Sequence, residues 1–265
     1  MSSCGSRTGE AGPAPPVKAR KRFGQHFLHD RGILARIVAA IDPAPAQEVV
    51  EIGPGRGALT RPLLERGVRL TVVEIDRDLA ARLTGDFTVE RLRVHCADAL
   101  EFDFGAFSRG FRLVGNLPYN ISTPLLFHLA RNARHARDMH FMLQREVVER
   151  MVAAPSTPEY GRLSVMLQLR FRMRKLLVVP PGAFRPPPRV ESAVVQLVPL
   201  ERGPDCDENV LEKVVRDAFS ARRKTLRNAL RLEAADFEAL GISPTLRPEN
   251  LSPADYARVA RRAGG

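Results

Sequence analysis

Short apolar runs rich in β-branched residues recur about every 20 residues in the first half of the chain: "EVVEIG", "RLTVVEI", "RLRVHCA" and "FRLVGN", with "HFMLQ" as a fifth. Between the first pairs lie "ALTRPLLERG" and "DLAARLTG", which have helical character. This strand–helix alternation predicts an α/β fold built on a parallel sheet with covering helices. Ahead of it, "DRGILARIVAAI" places Ile33, Leu34, Ile37, Val38 and Ile41 at helical spacing, with Asp30 as N-cap. A helix is expected from about Arg145 to Ala153, and "RVESAVVQLVP" reads as a later strand. "VPPGAFRPPPRV" holds five prolines in twelve residues and is expected to be an extended loop.

The pattern changes at about Leu200. "NVLEKVVRDAFSARRKTLRNALRL" reads as one long helix, and "ADFEALG" and "SPADYARVARRA" as two more. These spacings divide the chain into a disordered Gly/Pro/Ser tail (1–16), an α/β domain (17–200) and a small helical domain (201–265).

Charge narrows the class of partner. The 265 residues carry a formal net charge of +11 and a pI of about 10.5, which points to an anionic partner, nucleic acid first. No basic amphipathic helix dominates the chain, which argues against a membrane surface. No apolar run reaches the ~20 residues that span a bilayer, and residues 1–16 show no secretory signal. Cys4, Cys96 and Cys206 are odd in number and far apart. They predict neither a disulfide framework nor a zinc site, and they suit a reducing cytosol. A cytoplasmic, metal-free protein is expected.

"EIGPGRGAL" follows the first sheet strand and opens a helix. Gly53, Gly55 and Gly57 allow a sharp turn and close approach to a nucleotide-like ligand. Glu74 ends the next strand, 21 residues after Gly53, where a carboxylate can accept hydrogen bonds from ribose hydroxyls. Gly53 to Ala58 also fits a dinucleotide fingerprint, so NAD and other adenosine-bearing cofactors both remain open. Glu51 beside the loop disfavours a pyrophosphate and tolerates a cationic ligand. Asp98, ending the third strand, reads equally as a helix N-cap or as an acceptor for an adenine amino group.

"VGNLPYNIS" is too specialised for an ordinary turn. Its Asn-x-Pro-Tyr pattern resembles the catalytic loop of S-adenosylmethionine-dependent methyltransferases that act on adenine N6. "KRFGQHFL", "MLQREVVERM", "YGRLSV", "AFRPPPRVESAVV" and "AFSARRKTLRNAL" extend the resemblance over about Lys18 to Arg261, to the ribosomal RNA adenine dimethyltransferase family and its bacterial small-subunit branch. The resemblance implies a Rossmann-like class I methyltransferase. It also implies an activity: two methyl groups on N6 of each of two adjacent adenosines near the 3′ end of 16S rRNA in the small ribosomal subunit. The cofactor would be S-adenosylmethionine, with S-adenosylhomocysteine as product and no metal.

Carried over by motif position, the cofactor residues are His26, Leu28, Gly53, Glu74, Asp98 and Asn116. His26 departs from the Asn of many relatives. The Asn116 side-chain carbonyl and the Leu117 backbone carbonyl, held by Pro118, would accept the two N6 hydrogens. Tyr119 would stack on the base, with Phe184 closing the other face.

In the helical domain Arg223, Arg227 and Arg231 share one stripe, with Arg222 and Lys224 beside it, and Val215, Phe219, Leu226 and Leu230 face a core. With the basic arm of Lys18, Arg20, Lys21 and Arg22, they are expected to bind RNA phosphates as part of a monomer. The competing readings are a relative acting on large-subunit rRNA, a non-catalytic assembly factor and, more remotely, an NAD-dependent oxidoreductase.

Overall fold

The computed structural model describes residues 25–230 and 232–264. The expected tail, the basic arm and Arg231 lie outside them.

The elements follow in chain order: β1 (Phe27–Leu28), α1 (Arg31–Ile41), β2 (Glu48–Ile52), α2 (Thr60–Glu65), β3 (Arg69–Glu74), α3 (Arg77–Asp86), β4 (Leu92–Cys96), β5 (Arg112–Asn116), α4 (Ser122–Asn132), β6 (Asp138–Gln144), α5 (Arg145–Val152), α6 (Arg162–Gln168), β7 (Phe171–Val179), β8 (Phe184–Arg185), β9 (Ser192–Pro199), α7 (Glu208–Ser220), α8 (Leu226–Ala229), α9 (Ala234–Leu240) and α10 (Pro253–Gly264). Asp30 caps α1 as expected, its Oδ1 accepting the Ile33 N–H at 2.9 Å.

One seven-stranded sheet has the order β4-β3-β2-β5-β6-β9-β7. The first five strands are parallel, as the alternation predicts, while β9 runs antiparallel between β6 and β7. Strand β7 is an addition to the expected set. Arg172, Arg174 and Lys175 interrupt its apolar pattern, which an edge strand tolerates because one side faces solvent.

Side chains alternate between the two faces. Val50, Ile52, Leu113 and Phe141 join one core cluster with α4 and α5, whereas Val49, Val114 and Met142 join another with α1 and α2. The proline-rich segment is not all loop. Within it β8 pairs antiparallel with β1, so Leu28 lies against Phe184.

The carboxyl-terminal helices share a third core with residues before the sheet ends. Tyr160, Val165 and Met166 pack with Leu211, Val215, Leu226 and Tyr256. Tyr160 donates to the Leu251 carbonyl at 2.9 Å, and Tyr256 to the Pro248 carbonyl at 2.8 Å. Both hydroxyls are therefore satisfied in a dry interior. No helix among the described residues is long and apolar enough to cross a membrane.

Candidate active site

Parallel strands deliver their carboxyl ends to one edge, and the glycine loop after β2 forms the floor of a cleft there. Gly53 has φ +64°, and a Cβ on it would lie 3.7 Å from the Asn116 carbonyl oxygen and 3.9 Å from Pro118 Cδ. The glycine loop and the Asn-Leu-Pro-Tyr loop thus touch. The Gly55 N–H donates to Glu74 Oε2 at 3.1 Å, and the Asp76 N–H donates to Glu74 Oε1 at 3.0 Å. Glu74 is fixed by backbone donors at the end of β3, and burial raises its pKa.

Glu51 is 2% exposed, lines the cleft, and accepts the Thr60 hydroxyl at 2.7 Å. Burial pushes its pKa up to about 8 against the lowering effect of the Thr60 hydrogen bond. In the free protein Glu51 is therefore largely a neutral acid at pH 7; a cationic ligand seated beside it favours its ionised form and draws the proton off, whereas a pyrophosphate does not. The sign of the linkage is definite. The unfolded chain sheds the Glu51 proton near pH 4.5 and the folded chain near 8, so this residue's contribution to stability falls as pH rises through that window. Glu51→Gln is expected to gain about 3–5 kcal/mol relative to wild type between pH 5 and 8, measured by denaturant unfolding without ligand. A difference independent of pH would contradict this.

The second loop leaves β5 at Asn116. Its Nδ2 donates to the His26 carbonyl at 2.9 Å, which fixes the amide and leaves Oδ1 as an acceptor on the cleft. The Leu117 N–H donates to the Met142 carbonyl at 3.1 Å. Tyr119 is held at both ends: its hydroxyl is 2.6 Å from Ser192 Oγ, and its ring stacks on His26 with centroids 5.5 Å apart and planes at 29°. The model of one protein family, "Ribosomal RNA adenine dimethylase", matches residues 17–263.

The chain belongs to the ribosomal RNA adenine dimethylase family.

It is a methyltransferase of class I fold, and such enzymes use S-adenosylmethionine. The "Ribosomal RNA small subunit methyltransferase A" of Aromatoleum aromaticum is 61% identical over 246 residues, covering 91% of this chain and 93% of that protein. Its counterpart in Thiobacillus denitrificans is 60% identical, covering 91% and 96%. Among solved structures, a dimethyladenosine transferase from Plasmodium falciparum aligns with TM-score 0.77 and 26% identity, covering 88% of this chain and 96% of that one. The 23S rRNA methyltransferase ErmE aligns with TM-score 0.68 and 25% identity, covering 90% and 100%.

The dimethylase cleft is lined by His26, Leu28, Gly53, Glu74, Asn116, Leu117, Pro118 and Tyr119 among the expected residues. The glycine cradle and paired carboxylates fit a sulfonium cofactor with ribose hydroxyls.

Two expected residues are placed differently, and a third lines the cleft with its ring engaged by other parts of the protein. Phe184 is 2% exposed, held in the α1-side core by the β1–β8 pairing, and is absent from the cleft wall. In this conformation it supports Leu28 rather than covering a base. Asp98 is also off the cleft wall; its Oδ1 accepts the Leu100 N–H at 2.9 Å within a turn, and no helix begins there, so the cap reading does not apply. The His26 ring is occupied by Tyr119 and by the Pro186 carbonyl, 2.9 Å from Nδ1.

The single long helix expected near the arginines is broken. Helix α7 stops at Ser220, and the Leu226 and Arg227 N–H groups donate to the Leu246 and Pro244 carbonyls at 2.7 and 3.1 Å. A non-local loop thus takes the bonds that would continue the helix. Arg223, Lys224 and Arg227 are exposed but not on one stripe. Arg222 is tied down, donating to the Pro158 carbonyl at 2.9 Å and lying 3.7 Å from Glu249.

Two features at or behind the cleft wall carry no obvious sequence signal. Ser192 becomes the Tyr119 partner only through folding. His140, 3% exposed on the inner wall, has its Nδ1 3.5 Å from Asp138 Oδ1, and burial lowers its pKa to about 4.

Proposed function

We propose that the chain dimethylates N6 of two adjacent adenosines near the 3′ end of 16S rRNA, within the small ribosomal subunit, as a step of subunit maturation. The observation that carries this reading is the Asn116 amide, pinned by the His26 carbonyl so that its oxygen is the acceptor offered to the cleft. S-adenosylmethionine would supply an activated methyl group and leave as S-adenosylhomocysteine; no metal is required.

The protein's own work is positioning. Adenine N6 is a poor nucleophile because its lone pair is delocalised into the ring. Asn116 Oδ1 and the Leu117 carbonyl accept the two N6 hydrogens, localise that lone pair, and stabilise the positive charge that develops on nitrogen. Pro118 restricts the loop, and Tyr119, braced by Ser192, stacks on a base drawn out of its helix. Glu74, Gly53 and Leu28 hold the cofactor, with Asp98 reached by an adenine amino group at the outer end. Residues 201–265 form the RNA-binding part, where Arg223, Lys224 and Arg227 reach phosphates, joined by Arg231 and the basic arm. The enzyme works as a cytoplasmic monomer.

Relatives named for the small subunit are far more similar than the large-subunit ErmE, 61% against 25% identity, which favours the small subunit as substrate. Labelled S-adenosylmethionine offered with unmethylated small subunits, large subunits and naked rRNA tests the choice. Label is expected in small subunits; label in large-subunit RNA alone would refute it.

His26 is assigned to the loop rather than to the cofactor. His26→Ala is expected to lower kcat about tenfold, with S-adenosylmethionine affinity by calorimetry changed less than about twofold. A large loss of affinity with kcat preserved would restore the cofactor role.

A further inference from the structure

The sheet has two edges of opposite charge. At the carboxyl ends of β3 and β4, beside the cleft, stand Glu74, Asp76, Asp78, Asp98, Glu101 and Asp103. The amino-terminal edge is different. Arg69 opens β3, Arg91 precedes β4, Arg93 lies within it, and Arg109 and Arg134 sit in the turns before β5 and β6. All five are exposed.

These arginines are not spent on the fold. Those of α10 pair with acids: Arg258 with Asp255, Arg261 with Asp205 and Arg262 with Asp236. Among the described residues the five on the sheet edge enter no ion pair; Arg69 alone is engaged, its Nε donating to the Ala46 carbonyl at 3.0 Å. From β4 to β6 they cross four strand spacings, about 19 Å.

The surface is concave. One groove is lined by Arg69, Arg91, Arg93 and Arg109, with Glu48 and Glu90 as its acids. A second shares Arg109 and adds Arg134 and His135; of its acids, Glu208 pairs with Arg170, and Glu201 stands at the rim. A row of guanidiniums without ion-pair partners, interrupted at β2 by Glu48, costs self-repulsion in the free protein. Guanidinium forks match phosphate oxygens in paired geometry.

We propose that this amino-terminal sheet edge is a second contact surface for rRNA, binding phosphates of a folded segment separate from the one that enters the cleft. It rests on the small-subunit reading above. The basic edge lies across the sheet from the cleft, where it can engage a segment distant from the target adenosines. A single hairpin presented at the cleft need not reach both; a folded subunit presents several helices.

The test is the variant Arg91→Gln/Arg93→Gln/Arg109→Gln, all exposed side chains outside the cleft. Binding is measured to unmethylated small subunits, to protein-free 16S rRNA and to a short hairpin carrying the two adenosines, between about 50 and 200 mM salt. The expected result is at least a tenfold weaker affinity for subunits and for 16S rRNA, with a salt slope shallower by about 2–3. Affinities for the hairpin and for S-adenosylmethionine stay at the wild-type value. Unchanged affinity and slope for subunits would overturn the inference. So would a loss confined to intact subunits with 16S rRNA bound normally, since that would make the partner an acidic ribosomal protein. Failure of the wild-type enzyme to modify small subunits would instead remove the functional reading itself.

Discussion

Asn116→Ala is expected to reduce turnover on small subunits by about 10²–10³-fold, equivalent to about 3–4 kcal/mol of transition-state stabilisation. The side chain does two things. Its Nδ2 ties the loop to the His26 carbonyl, and its Oδ1 is offered to the substrate amine. Alanine removes both. Asn116→Asp separates them: oxygen acceptors remain, but the donor to His26 is lost and a carboxylate faces a carbonyl. An intermediate loss is expected for it. Cofactor affinity, read by calorimetry, should fall much less than kcat in both. A variant with near wild-type turnover would show that the loop positions nothing essential.

Gly115→Ala is expected to be the most damaging single methyl in the catalytic half. Gly115 pairs with Ile52 across β5 and β2, and a Cβ there would lie 2.4 Å from the Ile52 carbonyl oxygen. No rotamer relieves this, because the clash is with backbone, so β5 must move away from β2. The cost is about 3 kcal/mol. In a chain of this size that corresponds to a melting temperature lower by about 6–10 °C. The displaced strand carries Asn116 and underlies Gly53, so S-adenosylmethionine binding should be lost as well. Unchanged melting and affinity would mean that the sheet absorbs the methyl group.

Legibility in the sequence follows how local each feature is. Strands β2, β3 and β5 stand out because parallel strands buried on both faces are apolar runs bounded by turn residues, while β4, at the sheet edge, is legible from its place in the strand–helix alternation. Helix α1 carries its own cap in Asp30. The glycine and Asn-Leu-Pro-Tyr loops are readable because their chemistry needs particular residue types at fixed spacing. Strand β7 is not, since its arginines belong to an edge rather than to a core. The break after α7 is invisible because it is decided by the carbonyls of Pro244 and Leu246, distant in sequence. Phe184 and His26 both read as ligand contacts in the sequence, yet only His26 lines the cleft. A two-residue pairing of segments more than 150 positions apart puts one in the core and ties the other to Tyr119.

The chemistry that decides the function is what the cleft makes of an adenine amino group. The direct measurement is nucleoside mass spectrometry of the 3′-terminal 16S fragment after single incubation of unmethylated small subunits with the enzyme and S-adenosylmethionine. The expected product is N6,N6-dimethyladenosine at two neighbouring positions, lost with Asn116→Ala while the variant still binds cofactor. Methyl groups on a ring nitrogen or a ribose oxygen, or the same product from Asn116→Ala, would contradict it.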